Sequence, residues 1–395
     1  MSLLKLENAI DRCLKEINVR DTINIPLGTA SGYVLAENLS ARRESPPFDL
    51  SAMDGYAFKH SPHINENHNL SLIGKSPAGT TFARKVKKGE AVKVYTGSVM
   101  PSGTDTVIIQ ENTKTNASDI ILKKIPQKNE NIRKKGFDFK TDDVLIRKGT
   151  KLTPKHISLA ASMNHTKLVV YSKPKIAIIS NGDELVEPGS KDAQNKIISA
   201  NNYGIKAYLE QLGANVTDFG IAKDNVKSLR EKIKKAASHD IIVTIGGASA
   251  GDFDLVKESI NRELELKFWK IAMRPGKPLI YGRLGEAHFL GLPGNPVSAH
   301  VCSQLFLKPM INKFMNFEDE NLYITEAKLK TSLKENDERQ DFIRGFYKDG
   351  FVTPHKVQDS SSLSVLNSSN VFIIREPNAP SKKIGEIVQI LKIDF

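Results

Sequence analysis

Two cysteines in 395 residues, Cys13 and Cys302, are too few for a disulfide framework, and their isolation excludes a cysteine-based zinc site. Both read as small buried apolar groups in a reducing compartment. No apolar run approaches the roughly 18 residues that a membrane span needs, so no membrane partner is expected. The first residues lack the apolar block of a secretion signal. Instead Leu6, Ile10, Cys13, Leu14 and Ile17 recur at helical spacing with charges between them, and a cytoplasmic location is the expectation. Internal repeats and long low-complexity tracts are missing as well, which speaks against a solenoid or array. The net charge of +12 raises the question of nucleic acid. The lysines are scattered, however, and no basic stripe interleaved with aromatics is present, so nucleic acid is not the expected partner. The runs 84–88 and 123–134 read as solvated faces, or as a general field that favours anionic substrates.

The length exceeds one ordinary domain, and 39% hydrophobic with 26% charged residues fits a soluble globular chain. The most informative part lies between residues 241 and 298, where three loops rich in glycine or proline interrupt alternating strands and helices. A buried strand, 241–245, breaks into Gly246-Gly-Ala-Ser-Ala-Gly-Asp252. Met273-Arg-Pro-Gly-Lys-Pro278 holds two cations on a stiff turn. Gly291-Leu-Pro-Gly-Asn-Pro-Val-Ser298 opens a helix, with Asn295 at its N-cap and Pro296 in its first turn. Glycine lets backbone approach a ligand, proline narrows loop freedom, and N–H groups at helix starts suit anions. Singly, each loop is an ordinary turn. Together, at the carboxyl ends of strands in an open α/β sheet, they point to a preorganised site for a large, phosphate-bearing anion.

The alternation from Lys175 to Phe314 predicts a doubly wound, mostly parallel α/β domain. Its strands are expected at 176–179, 216–219, 241–245, 268–271 and 279–281. Helices are marked by Ile205, Tyr208, Leu209 and Leu212 with Gly213 as a stop, by Leu229, Ile233 and Ala236, and by Phe253, Val256, Ile260 and Leu264. Short β-like runs at 92–95, 106–110, 120–122 and 144–146 predict a β-rich module between 66 and 150, inserted between helices at 2–18 and 154–163. Beyond Glu318 the runs 372–374 and 387–393 predict a small barrel or sandwich. The serines of 360–364 read as a polar turn.

Further runs stand in a fixed order with these loops: Pro46-Pro-Phe-Asp-Leu-Ser-Ala-Met-Asp-Gly-Tyr56, Thr96-Gly97 followed by Met100-Pro101, Asn131-Ile-Arg-Lys-Lys-Gly-Phe-Asp138, and Ser180-Asn-Gly-Asp-Glu-Leu185. On these, with 246–254, 274–278 and 291–298, the chain resembles the MoeA family of molybdopterin molybdenumtransferases over nearly its full length; the E domain of gephyrin is of the same family. The resemblance implies a discontinuous helical domain (1–48 and 139–172), an inserted β-rich module (49–138), an α/β molybdopterin-binding domain (173–317) and a C-terminal β-barrel (318–395). It also implies a homodimer whose active sites are shared between the α/β domain of one subunit and the inserted module of the other. The reaction so implied takes adenylylated molybdopterin and molybdate, inserts the metal at the dithiolene sulfurs and releases AMP, with Mg²⁺ as the divalent cation.

By the same resemblance Arg274, Lys277, Ser298, Arg344 and Ser360 form the molybdate pocket. The adenylylated pterin lies over Gly246, Gly247, Ser249, Gly251 and Asp252, and against Pro293, Gly294, Asn295 and Pro296. Glu184, Asp224 and Asp254 hold Mg²⁺, and Asp54, Thr96, Arg133 and Asp138 act with Lys277 in catalysis. The chemistry suits these types: a dianion wants fixed cations and hydroxyls, and a pyrophosphate beside carboxylates is repulsive unless a cation bridges them. Without the resemblance, Asp252 and Asp254 would be acids favoured by a helix dipole, Asp224 a cap for the following helix, Asp54 and Thr96 turn residues, and Arg133 and Asp138 plain surface. Five departures stand out: Arg274 where many relatives have lysine, Asn181 for a common threonine, Ala248 and Ala250 for larger residues, and Asp359 for a frequent glycine beside Ser360. Adenylylation must come from another protein, so transient contacts with an adenylyltransferase and with cofactor-accepting enzymes are expected. A non-catalytic scaffold and a nucleotide-phosphate hydrolase are the competing readings; the full set of acids and cations, and the module carrying Met53-Asp54-Gly55, favour the transferase. Molybdate and tungstate are nearly the same size, and both remain open as the oxyanion.

Overall fold

The computed structural model describes residues 3–116, 118–247, 258–260, 263–318 and 324–395. The chain divides into two compact units. One holds residues 1–23, 32–36 and 169–395; the other holds 24–31 and 37–168.

The larger unit is built on a six-stranded sheet in the order Asn215–Ala222, Lys175–Asn181, Ile241–Ile245, Ala287–Leu292, Ile280–Leu284, Leu264–Trp269. The first four strands run parallel. The central pair is buried at nearly every position because helices cover both faces, as parallel sheets require. Helix Asn201–Leu212 buries Ile205, Tyr208, Leu209 and Leu212 and stops at Gly213, whose φ of 107° closes it in the left-handed region. Helix Val226–Ala236 buries Leu229, Ile233 and Ala236 on the opposite face. The last two strands of the sheet are antiparallel hairpin partners. Leu264, expected to end a helix, instead opens the strand Leu264–Trp269; Leu264, Leu266 and Phe268 alternate with Glu265 and Lys267, the period of a strand. Phe253 and Val256 of that expected helix lie outside the described residues.

In the same unit a barrel closes through Gln340–Lys348, Phe351–Pro354, Ile324–Leu329, Ile387–Lys392 and Val371–Arg375, which pairs back onto Gln340–Lys348. Closure removes the exposed edges that short strands would otherwise present. One face of Gln340–Lys348 turns Ile343 and Tyr347 into the barrel with Val371 and Ile373. The other turns Phe342 toward Phe372 and the helices of the α/β sheet. The short strand Met273–Arg274 pairs in parallel with Gln340 and Asp341, so the cation-bearing turn is hydrogen-bonded to the barrel. The helix Leu6–Lys15 adds Leu6, Ala9 and Cys13 to the same core.

The smaller unit carries a mixed sheet in the order Thr106–Ile109, Gly55–Phe58, Glu90–Val94, Asn69–Ser76, Asp119–Leu122, Thr113–Asn116. Tyr56, Phe58, Leu70, Ile108, Ile120 and Leu122 fill one face, and Ala57, Val92, Val94 and Val107 the other. Gly55 admits the chain where a Cβ would meet the Ile108 carbonyl at 2.0 Å. Val144–Ile146 pairs with Leu39–Ser40 and not with that sheet. Helix Pro154–Ser162 starts at Thr153, whose N–H donates to His156 Nδ1 at 3.1 Å.

Phe372 is fully buried in the core common to barrel and α/β sheet. Phe372→Ala should lower unfolding stability by about 3–5 kcal/mol, read as a shifted urea midpoint; a loss under about 1 kcal/mol would mean that this junction does not hold the barrel in place.

Candidate functional site

Two neighbouring cavities of the larger unit gather most of the candidate residues. The first, about 610 Å³, lies at the carboxyl ends of Lys175–Asn181 and Ile241–Ile245. Its lining includes Glu184, Asp224, Gly246, Gly247, Pro293, Gly294, Asn295 and Pro296. The second, about 680 Å³, is lined by Arg274, Lys277, Ser298, Arg344 and Ser360, all five of the residues expected around the oxyanion. Pro278, Pro293 and Asn295 line both. These volumes suit organic ligands of moderate size, far larger than one oxyanion.

In the first cavity the acids are organised by backbone and amide donors. Asn181 Nδ2 donates to one Asp224 oxygen at 2.8 Å, and the Asp183 N–H donates to the other at 3.0 Å. Asp224 therefore does not cap the following helix; Asn225 does, accepting from the Ser228 N–H. The departure to Asn181 supplies one of these contacts, while its Oδ1 is buried without a partner. The Glu184 carboxylate folds over Gly182, where any Cβ would collide with it at 2.6 Å. Gly246 has a φ of 86° and lies so close to the Asn181 carbonyl that an added Cβ would sit at 2.5 Å from it. Ser249, Gly251, Asp252 and Asp254 lie outside the described residues, as do Ala248 and Ala250.

A divalent cation fits this donor set. Each Asp224 oxygen accepts one hydrogen bond and so retains acceptor capacity, and Asp224 and Glu184 both line the cavity. Among the described residues no cluster of three or more His, Cys, Asp or Glu is arranged to hold a metal, so phosphate oxygens and water would complete the shell, as suits Mg²⁺.

The second cavity is a set of cations in unequal states. Lys277 is exposed and, among the described residues, makes no side-chain hydrogen bond or ion pair. Arg344 is 1% exposed; its N–H and carbonyl are clamped by Gln358, its Nη2 donates to the Asp359 carbonyl at 3.3 Å, and its Nε is buried without a partner. Burial pulls the Arg344 guanidinium below its usual value, opposed by the charge of Asp359. Arg274 is already engaged: it bonds Asp337 at 3.0 Å, Asn336 at 3.3 Å and Asp341. The Asp341 bond holds its guanidinium above the usual range.

Ser360 hydroxyl accepts from Asn295 Nδ2 at 2.7 Å, and its carbonyl accepts from the Val297 N–H at 2.9 Å. Asn295 thus occupies the N-cap position of helix Pro296–Cys302, but its side chain ties the serine turn instead of capping. The Asp359 carboxylate, a departure beside the oxyanion residues, accepts from the Ser361 N–H and hydroxyl at 2.8 and 2.6 Å and is held below the usual range by them. Its hydrogen bonds stay within its own turn, while its charge is felt by Arg344.

Asp54 and Thr96 belong to the smaller unit, where Asp54 Oδ1 accepts from the Thr96 N–H at 2.7 Å and hydroxyl at 2.8 Å. Those two bonds hold the Asp54 carboxyl below the usual range. Arg133, in a two-residue strand paired with Leu50, and Asp138 are exposed in the same unit. The sequence did not single out Asp341, Gln358 or Arg375. Arg375, 4% exposed, lines the second cavity and donates to the carbonyls of Lys334, Ala379 and Pro380, with its Nε unpartnered. A cation closing the apolar run 371–374 was the one available signal.

Comparison with known proteins agrees along the whole chain. The family profile "MoeA N-terminal region (domain I and II)" matches residues 4–164, "Probable molybdopterin binding domain" matches 177–313, and "MoeA C-terminal region (domain IV)" matches 326–393. The "Molybdopterin molybdenumtransferase" of Haemophilus influenzae is 35% identical, covering 98% of each chain. The protein of that name from Nostoc sp. is 32% identical over 91% of this chain and 84% of its own. A crystal structure of the molybdopterin biosynthesis moeA protein from Pyrococcus horikoshii superposes with a TM-score of 0.83 at 28% identity, covering 99% of this chain and all of that one.

Gly246→Ala forces a Cβ against backbone in a disfavoured φ and should cost about 1–3 kcal/mol of stability. Gly294→Ala, whose Cβ would meet nothing nearer than 3.6 Å, should be close to neutral. Thermal unfolding of both variants decides it: equal melting shifts would mean that the 246 turn relaxes freely.

Proposed function

The chain belongs to the MoeA family, and we propose that it inserts molybdenum from molybdate into adenylylated molybdopterin with release of AMP. The observation that carries this reading is the wall of Pro278, Pro293 and Asn295 common to both cavities. A small oxyanion in one and a nucleotide-bearing pterin in the other would meet there. In this reading Lys277 and Arg344 supply the main charge on molybdate, Ser298 and Ser360 supply hydroxyls, and Arg274 closes the pocket from its ion pairs. A cation fixed in a partly dry site stabilises developing charge without reorganising.

The pterin and nucleotide take the first cavity against Gly246, Gly247, Pro293, Gly294, Asn295 and Pro296, and Ser249, Gly251 and Asp252 are proposed to contact them as well. Glu184 and Asp224, with Asp254, offer hard carboxylate oxygens to Mg²⁺, which when bound draws charge from the scissile phosphoanhydride. Asp54, held ionised by Thr96, completes the site with Arg133 and Asp138 from the β-rich module of a second subunit. We further propose the four-part division at 48, 138, 172 and 317, a cytoplasmic homodimer, and transient partners that supply the adenylylated pterin and accept the cofactor. Tungstate is the alternative oxyanion.

Lys277→Ala should slow cofactor formation roughly a hundredfold at low molybdate and recover partly at high molybdate, with binding of the adenylylated pterin nearly unchanged. Unaltered molybdate dependence would remove Lys277 from the oxyanion site.

Co-refolding inactive Asp54→Ala chains with inactive Lys277→Ala chains should restore activity in the mixed dimer, one of whose two sites is intact. Mixtures that exchange subunits yet recover nothing would refute the shared site.

For the cation, Asp224→Asn keeps the size while removing the charge and one of the two hydrogen-bond acceptors. AMP release titrated with Mg²⁺ should then need several-fold more metal; coincident curves would make Asp224 structural.

A further inference from the structure

Three charged side chains stand in register across adjacent strands at the mouth of the barrel: Arg274 opposite Asp341, and Asp341 opposite Arg375. Residues directly opposite on paired strands project to the same face and interact there. All three line the second cavity. Asp341 is 5% exposed, and only one of its oxygens is hydrogen-bonded; Oδ1 is buried without a partner. A buried carboxylate so placed stays ionised only beside a cation, and Arg274 is the one it bonds. Burial pushes its carboxyl up, and the Arg274 guanidinium opposes that push. The same bond, with those to Asp337 and Asn336, occupies both terminal nitrogens of Arg274. The guanidinium fork, the group best shaped to grip a tetrahedral dianion in two places, is thus committed to protein acceptors before any ligand arrives.

We propose that Asp341 is a positioning residue that withholds the Arg274 fork from the oxyanion and so sets how tightly and how selectively the second cavity holds a tetrahedral dianion. The proposal rests on the reading of that cavity as the oxyanion site. An unrestrained fork beside Lys277 and Arg344 would hold any dianion of this shape, sulfate included. Ground-state grip of that kind does not speed the transfer, since only contacts that strengthen in the transition state do. With Arg274 committed, the oxyanion is held by groups that leave it free to move toward the shared proline wall. Arg375, opposite Asp341 on the neighbouring strand, is anchored on the carbonyls of Lys334, Ala379 and Pro380, and its guanidinium feels the Asp341 charge without bonding it.

Asp341→Asn removes the charge and keeps the shape. In the full chain it should lower the molybdate KM and strengthen inhibition by inorganic sulfate, each by about fivefold, while lowering kcat. In an Arg274→Ala background the same change should leave sulfate inhibition where Arg274→Ala alone put it. Sulfate inhibition that is unchanged by Asp341→Asn, or that rises equally without Arg274, overturns the proposal. Asp341→Glu, which keeps the charge if the asparagine variant unfolds, should retain sulfate resistance; a Glu variant as sulfate-sensitive as expected for Asn also overturns it. Lys277→Ala separates the two layers. If it leaves molybdate and sulfate dependence untouched, the oxyanion reading of the cavity fails and the proposal with it. If it weakens both anions while Asp341→Asn alters neither, the role of Asp341 alone fails.

Discussion

The parallel pairing of Met273 and Arg274 with Gln340 and Asp341 is the constraint on which the site depends. It joins a turn of the α/β sheet to the wall of the barrel by backbone hydrogen bonds, which leave no rotamer freedom to average over. The cation turn is therefore positioned by two folds at once. Beneath it, Phe342 and Phe372 carry the barrel onto the same apolar core that supports the sheet. Packing of this kind is close to crystal-like in density, so displacement of the barrel would be felt at Arg274 and Lys277 without any change in their own sequence. Arg344 belongs to the same strand as Asp341, three residues on, and enters the cavity from the strand's other face.

Buried charge in the second cavity is tolerated because each group answers to a specific partner. Arg344 donates to a carbonyl, Arg375 to three, and Asp341 accepts from Arg274. The unsatisfied donors that remain, Nε of Arg344 and of Arg375, are costs the fold carries at its ligand site. The Asp359 carboxylate shows the opposite economy. Adjacent to the oxyanion residues in sequence, it is drawn into a turn with Ser361, and only its carbonyl meets Arg344.

The α/β core was legible because its signals are local: apolar strands, the spacing of two helices, and the glycine that ends one of them. The loops 273–278 and 291–298 were legible for the same reason, since glycine and proline announce tight turns in any context. What was hidden depends on tertiary pairing. Leu264 satisfied a helical spacing with Ile260 yet belongs to an antiparallel hairpin whose partner lies twenty residues away. Asn295 looked like a capping residue, and its position is that of a cap, but Ser360 competes for its amide from a turn 65 residues further along the chain. Asp341 and Arg375 carried no motif at all; their meaning comes from a register between strands that no single-chain periodicity encodes.

Arg344 is nearly sealed from solvent, whereas Lys277 faces it. Mobile ions reach the two unequally. At physiological ionic strength the field of the chain's net +12 decays over about 8 Å, and an exposed ammonium is screened with it, while a buried guanidinium is screened much less. Capture of an anion from a distance and retention of it once seated are thereby governed by different parts of the molecule. Added salt slows the first and leaves much of the second standing, so brine that abolishes encounter still spares a ligand already in place.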